Sequence, residues 1–116
     1  MVVPDDASAI ARAVQEAALT YDLVVTTGGT GVAPRDVTPD AVGPLLDKEL
    51  PGIMEAIRAD GRAQVATAAL SRGVAGTLGS ALVITLPGST GGVRDGAKVV
   101  LELAQHVLDQ LAGHDH

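Results

Sequence analysis

The 116-residue chain has room for one domain and little for a second, so residues 1–113 read as a single unit and residues 114–116 as a disordered tail. Hydrophobic residues make up 47% but aromatics only 1%, Tyr21 alone, and the core must therefore be built from Val, Leu, Ile and Ala. A net charge of −6 argues against a broad nucleic-acid or anionic-membrane face, and the absence of cysteine excludes disulfides, thiolate metal sites and cysteine nucleophiles.

Val2-Val3 reads as a strand end that delivers Asp5-Asp6. From Asp6 to Thr20, Ile10, Val14 and Ala17 or Ala18 recur at helical spacing, with Asp5, Asp6 and Ser8 able to cap the start. Leu23-Val24-Val25-Thr26-Thr27 is a short, continuous, β-prone run closed by glycines, the pattern of a central parallel strand buried on both faces.

Thr38 can cap the next helix with Pro39 at its first position, and Gly43-Pro44 should kink it before a restart to about Leu50. Pro51-Gly52 opens a further helical stretch through Ile53, Met54 and Ile57 to Asp60-Gly61, and 63–70 is ambiguous but compatible with helix. Val74-Ala75 and Ala81 to Leu86 read as strands joined by a turn at Gly76 to Gly79, or at Gly79-Ser80. Val93, Ala97, Val100, Leu101, Ala104, Val107, Leu108 and Leu111 keep one face of a final helix apolar from about Gly92 to Ala112.

Fourteen glycines and six prolines punctuate these runs, as strands alternating with helices require. No apolar run approaches the roughly 20 residues that span a bilayer, and the first residues lack the basic start and apolar stretch of a signal peptide. The expectation is a cytoplasmic protein with neither membrane nor nucleic-acid partner.

Two loops share one logic. Leu23 to Thr27 leads into Gly28-Gly29-Thr30-Gly31, and Ala81 to Leu86 leads into Pro87-Gly88-Ser89-Thr90-Gly91-Gly92. Glycines let successive N–H groups converge on an anion, and the second loop adds the positive end of a helix dipole. Ligands of parallel α/β sheets sit beyond the carboxyl ends of the strands, so both loops should face one crevice. Neither matches the P-loop or dinucleotide fingerprint, and a pair of tight structural turns is the alternative.

Charged residues border these loops: Asp5-Asp6, Arg35-Asp36, Ser71-Arg72 and Arg94-Asp95. Carboxylates there suit a hard cation that bridges phosphate oxygens, and arginines suit the phosphates. Helix capping explains Asp5, Asp6 and Asp95 equally well, whereas Asp36 has no evident structural employment. Arg12, Arg58 and Arg62 read as solvated surface charges, and His106, His114 and His116 have no catalytic setting.

The runs Leu23 to Gly31, Pro34-Arg35-Asp36-Val37-Thr38-Pro39-Asp40, Leu70-Ser71-Arg72-Gly73, and Leu86-Pro87-Gly88-Ser89 through Gly91-Gly92-Val93-Arg94-Asp95 together resemble the MoaB/Mog family of molybdenum cofactor biosynthesis. The resemblance implies an α/β domain of three layers, with a mostly parallel central sheet, helices on both faces, and the first strand and helix of the family fold missing ahead of Val2. Without that strand, the Leu23 to Thr27 strand would lack a neighbour on one side. The family also implies a homotrimer, other cofactor-biosynthesis proteins as possible partners, and, in Mog-type members, Mg²⁺- and ATP-dependent adenylylation of the terminal phosphate of molybdopterin. Carried over by position, Asp36 and Asp5 would be catalytic and metal-binding. Thr27, Gly28, Gly29, Thr30, Gly31, Arg35, Ser71, Arg72, Pro87, Gly88 and Ser89 would line the nucleotide and pterin pocket. A MoaB-type module that binds molybdopterin or nucleotide without turnover is the alternative.

Overall fold

The computed structural model describes residues 1–64 and 66–113, with the side chains at 62–64, 90 and 95 outside the description. The expected tail at 114–116, with His114 and His116, and the capping role of Asp95 therefore lie outside the described residues. Helix α1 (Ala7–Thr20) begins where the Asp6 carboxylate accepts the Ala9 N–H at 2.9 Å, and it buries Ile10 and Val14 as its periodicity requires. Strand β1 (Leu23–Thr27) follows, then a glycine-rich loop and the short helix α2 (Thr38–Val42). A 3₁₀ turn at Gly43–Leu45 leads to β2 (Lys48–Glu49) and α3 (Pro51–Gln64). A second 3₁₀ turn (Ala66–Leu70), the hairpin β3 (Ala75–Leu78) and β4 (Ala81–Leu86), and the long helix α4 (Thr90–Leu111) complete the chain.

The sheet order is β1-β4-β3-β2. β1 runs parallel to β4, with Leu23 opposite Leu82 and Thr27 opposite Leu86, while β3–β4 and β2–β3 are antiparallel. The expected α/β class with helices on both faces holds, but the sheet is mixed. Every residue of β4 is buried, and its alternation feeds two cores. Val83 joins Ile10, Val14, Val24, Ala41 and Val42 under α1 and α2, whereas Leu82, Ile84 and Leu86 join Ile53, Met54, Ile57, Val99 and Val100 under α3 and α4.

Four local expectations are corrected. β4, not β1, is the strand paired on both sides: among the described residues β1 pairs only with β4, and Leu23 and Val25, on the same sheet face as Leu82 and Ile84, remain 38% and 41% exposed at the edge that α3 and α4 leave uncovered. Val2-Val3 forms no strand, although Val3 packs against the α1–α2 core. Instead of restarting as helix, the chain after Leu45 extends, because its backbone groups are taken by β3: Asp47 N–H donates to Thr77 O at 2.7 Å and Leu50 N–H to Ala75 O at 2.8 Å. Finally, Thr38 is the first helical residue of α2 rather than its cap; Val37 holds the cap position, and no side chain caps that end. The β3–β4 turn falls at Gly79-Ser80, the second of the two placements expected, with Gly79 at φ 61°.

Candidate functional site

Both glycine loops leave the carboxyl ends of adjacent parallel strands. Gly28 and Gly29 adopt φ of 91° and 70°, a region in which only glycine is unstrained. Gly28 N–H donates to Leu86 O at 2.9 Å, which carries the ladder of β1 and β4 one step beyond the strands. The two turns then meet backbone to backbone: a Cβ on Gly88 would lie 3.1 Å from Gly28 Cα. A side chain on Gly88 would drive the loops apart, whereas at Gly28 the constraint is its positive φ rather than space.

Beyond this contact lies an open cleft of about 520 Å³, within the size range of small-molecule sites. It gathers Gly28, Gly29, Thr30, Gly31 and Asp36 from the first loop, Ser71 from the segment before β3, and Pro87, Gly88 and Ser89 from the second loop. Ser89 caps α4, its Oγ accepting the Gly92 N–H at 3.0 Å, so the N-terminus of a 22-residue helix opens on the cleft. Such an end carries partial positive charge and free N–H groups suited to a phosphate.

Supporting contacts hold these walls. Buried Thr30 accepts at Oγ1 from Ser71 Oγ at 3.2 Å. Thr38 N–H donates to Gly29 O at 3.1 Å, and the Thr38 hydroxyl fills the space where a Cβ on Gly29 would sit. Thr38 thus braces the glycine loop, which explains why it does not cap α2.

Other expected site residues are placed differently. Asp5 and Thr27 line a neighbouring pocket of about 350 Å³ between β1 and α1, for which Gly28 and Gly29 form a shared wall; Asp5 and Asp36 are not brought into one cavity. Arg35 is exposed and lines neither space. The Arg72 guanidinium is turned to protein acceptors: Gly31 O at 2.9 Å, Asp36 O at 2.6 Å and the Asp40 carboxylate at 3.2 and 3.3 Å.

Asp36 does have structural employment, since its Oδ2 accepts the Ala33 N–H at 3.0 Å and closes its own loop. Arg58, read from sequence as a solvated charge, is half-buried and reaches the carbonyls of Ser71 and Gly73 at 3.4 Å each. Sequence reasoning missed Gly61, Thr67, Ala68 and Leu70 on the far wall of the cleft. The signals in the sequence were that the ambiguous 63–70 stretch runs directly into Ser71 and that Leu70 opens the Leu70-Ser71-Arg72-Gly73 run, while Gly61 read only as a helix end.

Among the described residues, no cluster of three or more His, Asp or Glu side chains could cage a metal ion. A single carboxylate in a phosphate-sized cleft still fits Mg²⁺, which characteristically takes one or two protein carboxylates and completes its shell with substrate phosphates and water. Among the described residues, no helix is long and apolar enough to cross a membrane.

Comparison with known proteins places this geometry in a family context. Residues 1–106 match the family model described as a probable molybdopterin binding domain. Molybdenum cofactor biosynthesis protein B of Staphylococcus carnosus is 45% identical over 114 residues, covering 95% of this chain and 67% of that protein. Gephyrin of Dictyostelium discoideum is 43% identical over 108 residues, and there the match spans 92% of this chain but only 15% of the relative. The crystal structure of a molybdopterin biosynthesis protein from Mycobacterium abscessus superposes with a TM-score of 0.91 at 52% identity, over 97% of this chain and 73% of the other.

Proposed function

Because this chain belongs to the molybdopterin-binding domain family of molybdenum cofactor biosynthesis, we propose that its cleft takes molybdopterin and ATP and transfers the adenylyl group to the terminal phosphate of the pterin. The observation that carries this reading is the backbone contact of Gly28 and Gly88, which merges two glycine turns and the α4 N-terminus into one anion-binding wall.

In this reaction an oxygen of the molybdopterin phosphate forms a bond to the α-phosphorus of ATP as the bond to the β-phosphate oxygen breaks, and pyrophosphate departs with that electron pair. The chain supplies position and charge stabilisation rather than covalent chemistry. Main-chain N–H groups of Gly29 to Gly31 and of Thr90 and Gly91 at the start of α4 orient the phosphates and stabilise the charge that accumulates on their oxygens. Ser71 and Ser89 add hydroxyls at the rim, although each already serves a protein partner. Mg²⁺, when bound, would be held by Asp36 together with the nucleotide phosphates and would neutralise part of their charge. Asp5 lines the adjoining pocket, which shares Gly28 and Gly29 with this cleft, and its catalytic and metal-binding part belongs to the same proposal. A homotrimer that hands its product to other cofactor-biosynthesis proteins belongs to the same proposal.

The test is to incubate the protein with molybdopterin, ATP and Mg²⁺ and to follow pyrophosphate and adenylylated molybdopterin. Absence of both products would refute turnover. One observation favours a second reading, a MoaB-type module that binds without turnover: among the described residues, Asp36 is the only carboxylate that lines the cleft. Molybdopterin affinity unchanged in Asp36→Ala, with no pyrophosphate released by either protein, would select it.

A further inference from the structure

Arg72 was expected to bind substrate, yet its contacts point inward. Its backbone is fixed first: Arg72 N–H donates to Thr30 O at 2.7 Å, the neighbouring carbonyls of Ser71 and Gly73 accept from Arg58, and Gly73 is wedged where a Cβ would lie 2.8 Å from Thr85 O and 2.7 Å from Met54 Cε. From this anchored position the guanidinium spans the loop that carries Asp36. Nε donates to Gly31 O at one end, Nη2 donates to Asp36 O at the other, and Nη1 and Nη2 share the carboxylate of Asp40 on α2. Val32 to Arg35, between the two ends, are exposed.

We propose that Arg72 is a positioning residue: it staples both ends of the 31–36 loop, sets the distance between the glycine-turn N–H groups and the Asp36 carboxylate, and takes no phosphate itself. Three features carry this. Most of its donors are committed to protein oxygens, the residue is absent from the cleft lining, and its acceptors are the two carbonyls that define the loop ends. A planar fork can satisfy separated acceptors at once, whereas a lysine ammonium acts as a point charge. The catalytic consequence rests on the adenylylation reading, but the ordering of the loop does not.

The experiment compares the full chain with Arg72→Ala, Arg72→Lys and Asp40→Asn, reading amide hydrogen exchange at Ala33 and Thr38, Mg·ATP binding by calorimetry, and adenylylation kinetics. Both Arg72 variants should speed exchange at Ala33 on the order of 10-fold, the equivalent of losing one charge-assisted hydrogen bond. They should lower kcat on the order of 100-fold, the scale of a misplaced catalytic group, while KM for ATP stays within about threefold. Asp40→Asn keeps both carbonyl contacts, and because its ion pair is exposed it should cost less than about threefold in either readout.

Arg72→Lys behaving as wild type would overturn the proposal. So would Arg72→Ala raising KM for ATP at unchanged kcat, which is the behaviour of a phosphate ligand, or Asp40→Asn matching Arg72→Ala, which would assign the effect to the ion pair. If the wild-type chain makes no adenylylated product, the functional reading fails separately. Exchange at Ala33 and ATP affinity then decide the role of Arg72: faster exchange at unchanged affinity supports it, and unchanged exchange overturns it.

Discussion

Thr26 and Thr85 face each other in register across β1 and β4, and the same substitution to valine should move stability in opposite directions at the two sites. Thr85 is wholly buried; its Oγ1 accepts the Val74 N–H at 2.7 Å and donates to Val74 O at 3.1 Å. Val74 O keeps a second donor, Thr85 N–H at 3.0 Å, but the Val74 N–H would lose its acceptor. Stranding that N–H should cost about 2 kcal/mol, and with unfolding entropy near ~2.1 cal/mol/K per residue the loss of Tm for Thr85→Val is about 8 °C. The Thr26 hydroxyl is buried without a hydrogen-bond partner. Replacing it by a methyl group removes a desolvation cost of about 1 kcal/mol, so Thr26→Val should raise Tm by about 4 °C. Calorimetric melts and urea titrations of both variants provide the check. A neutral Thr85→Val, or a Thr26→Val that loses stability, would show that hydroxyl satisfaction does not govern this strand pair.

Alanine at Gly96 should cost about 1–3 kcal/mol by overpacking, because its Cβ would fall 3.0 Å from Leu86 Cδ1 and 3.2 Å from Cγ; the usual helical gain of about 1 kcal/mol offsets part of this, leaving a net loss of up to about 2 kcal/mol, and a raised Tm would refute the contact. In Gly88→Ala the new methyl must push the Gly28 backbone away, so Mg·ATP affinity by calorimetry should fall at least about 10-fold with little change in Tm. Asp36→Asn keeps an oxygen for the Ala33 N–H but loses the charge, so exchange at Ala33 should stay as in wild type while turnover drops on the order of 100-fold. Arg35→Ala, outside both pockets, should leave ATP affinity within about twofold; a larger loss would place that side chain on the ligand.

How much of this was legible in the sequence depends on how local each determinant is. The α1 periodicity and the Asp6 cap are local and appear as expected, whereas the apolar face expected of α4 is displaced: Leu101 is 83% exposed and Ala97 is exposed, and Val99 and Leu103, not counted on that face, pack against the core. The glycine turns were legible because positive φ at Gly28 and Gly29 excludes other residues at little cost in ambiguity. Lys48-Glu49 carries no β signal of its own and becomes a strand only because Thr77 and Ala75 offer acceptors. The apolar run of β1 looked doubly buried, yet burial on the second face requires a neighbour, and residue composition does not encode which faces are covered.

The site divides along the same line. Backbone-built features, the paired turns and the α4 N-terminus, follow from glycine placement and a capping serine. Roles of charged side chains do not, because the partners that decide them lie far along the chain: Arg72 meets Gly31, Asp36 and Asp40 across 41, 36 and 32 positions. An arginine beside a glycine-rich loop resembles a phosphate ligand until its acceptors are known, and an aspartate two residues before a helix appears idle until its loop closes on Ala33. With Arg72 committed to protein oxygens and Arg35 outside the cleft, attraction for an anion falls on N–H groups and one helix dipole. In a chain of net charge −6, the proposed anion site then depends on the backbone N–H groups that converge at the two glycine turns.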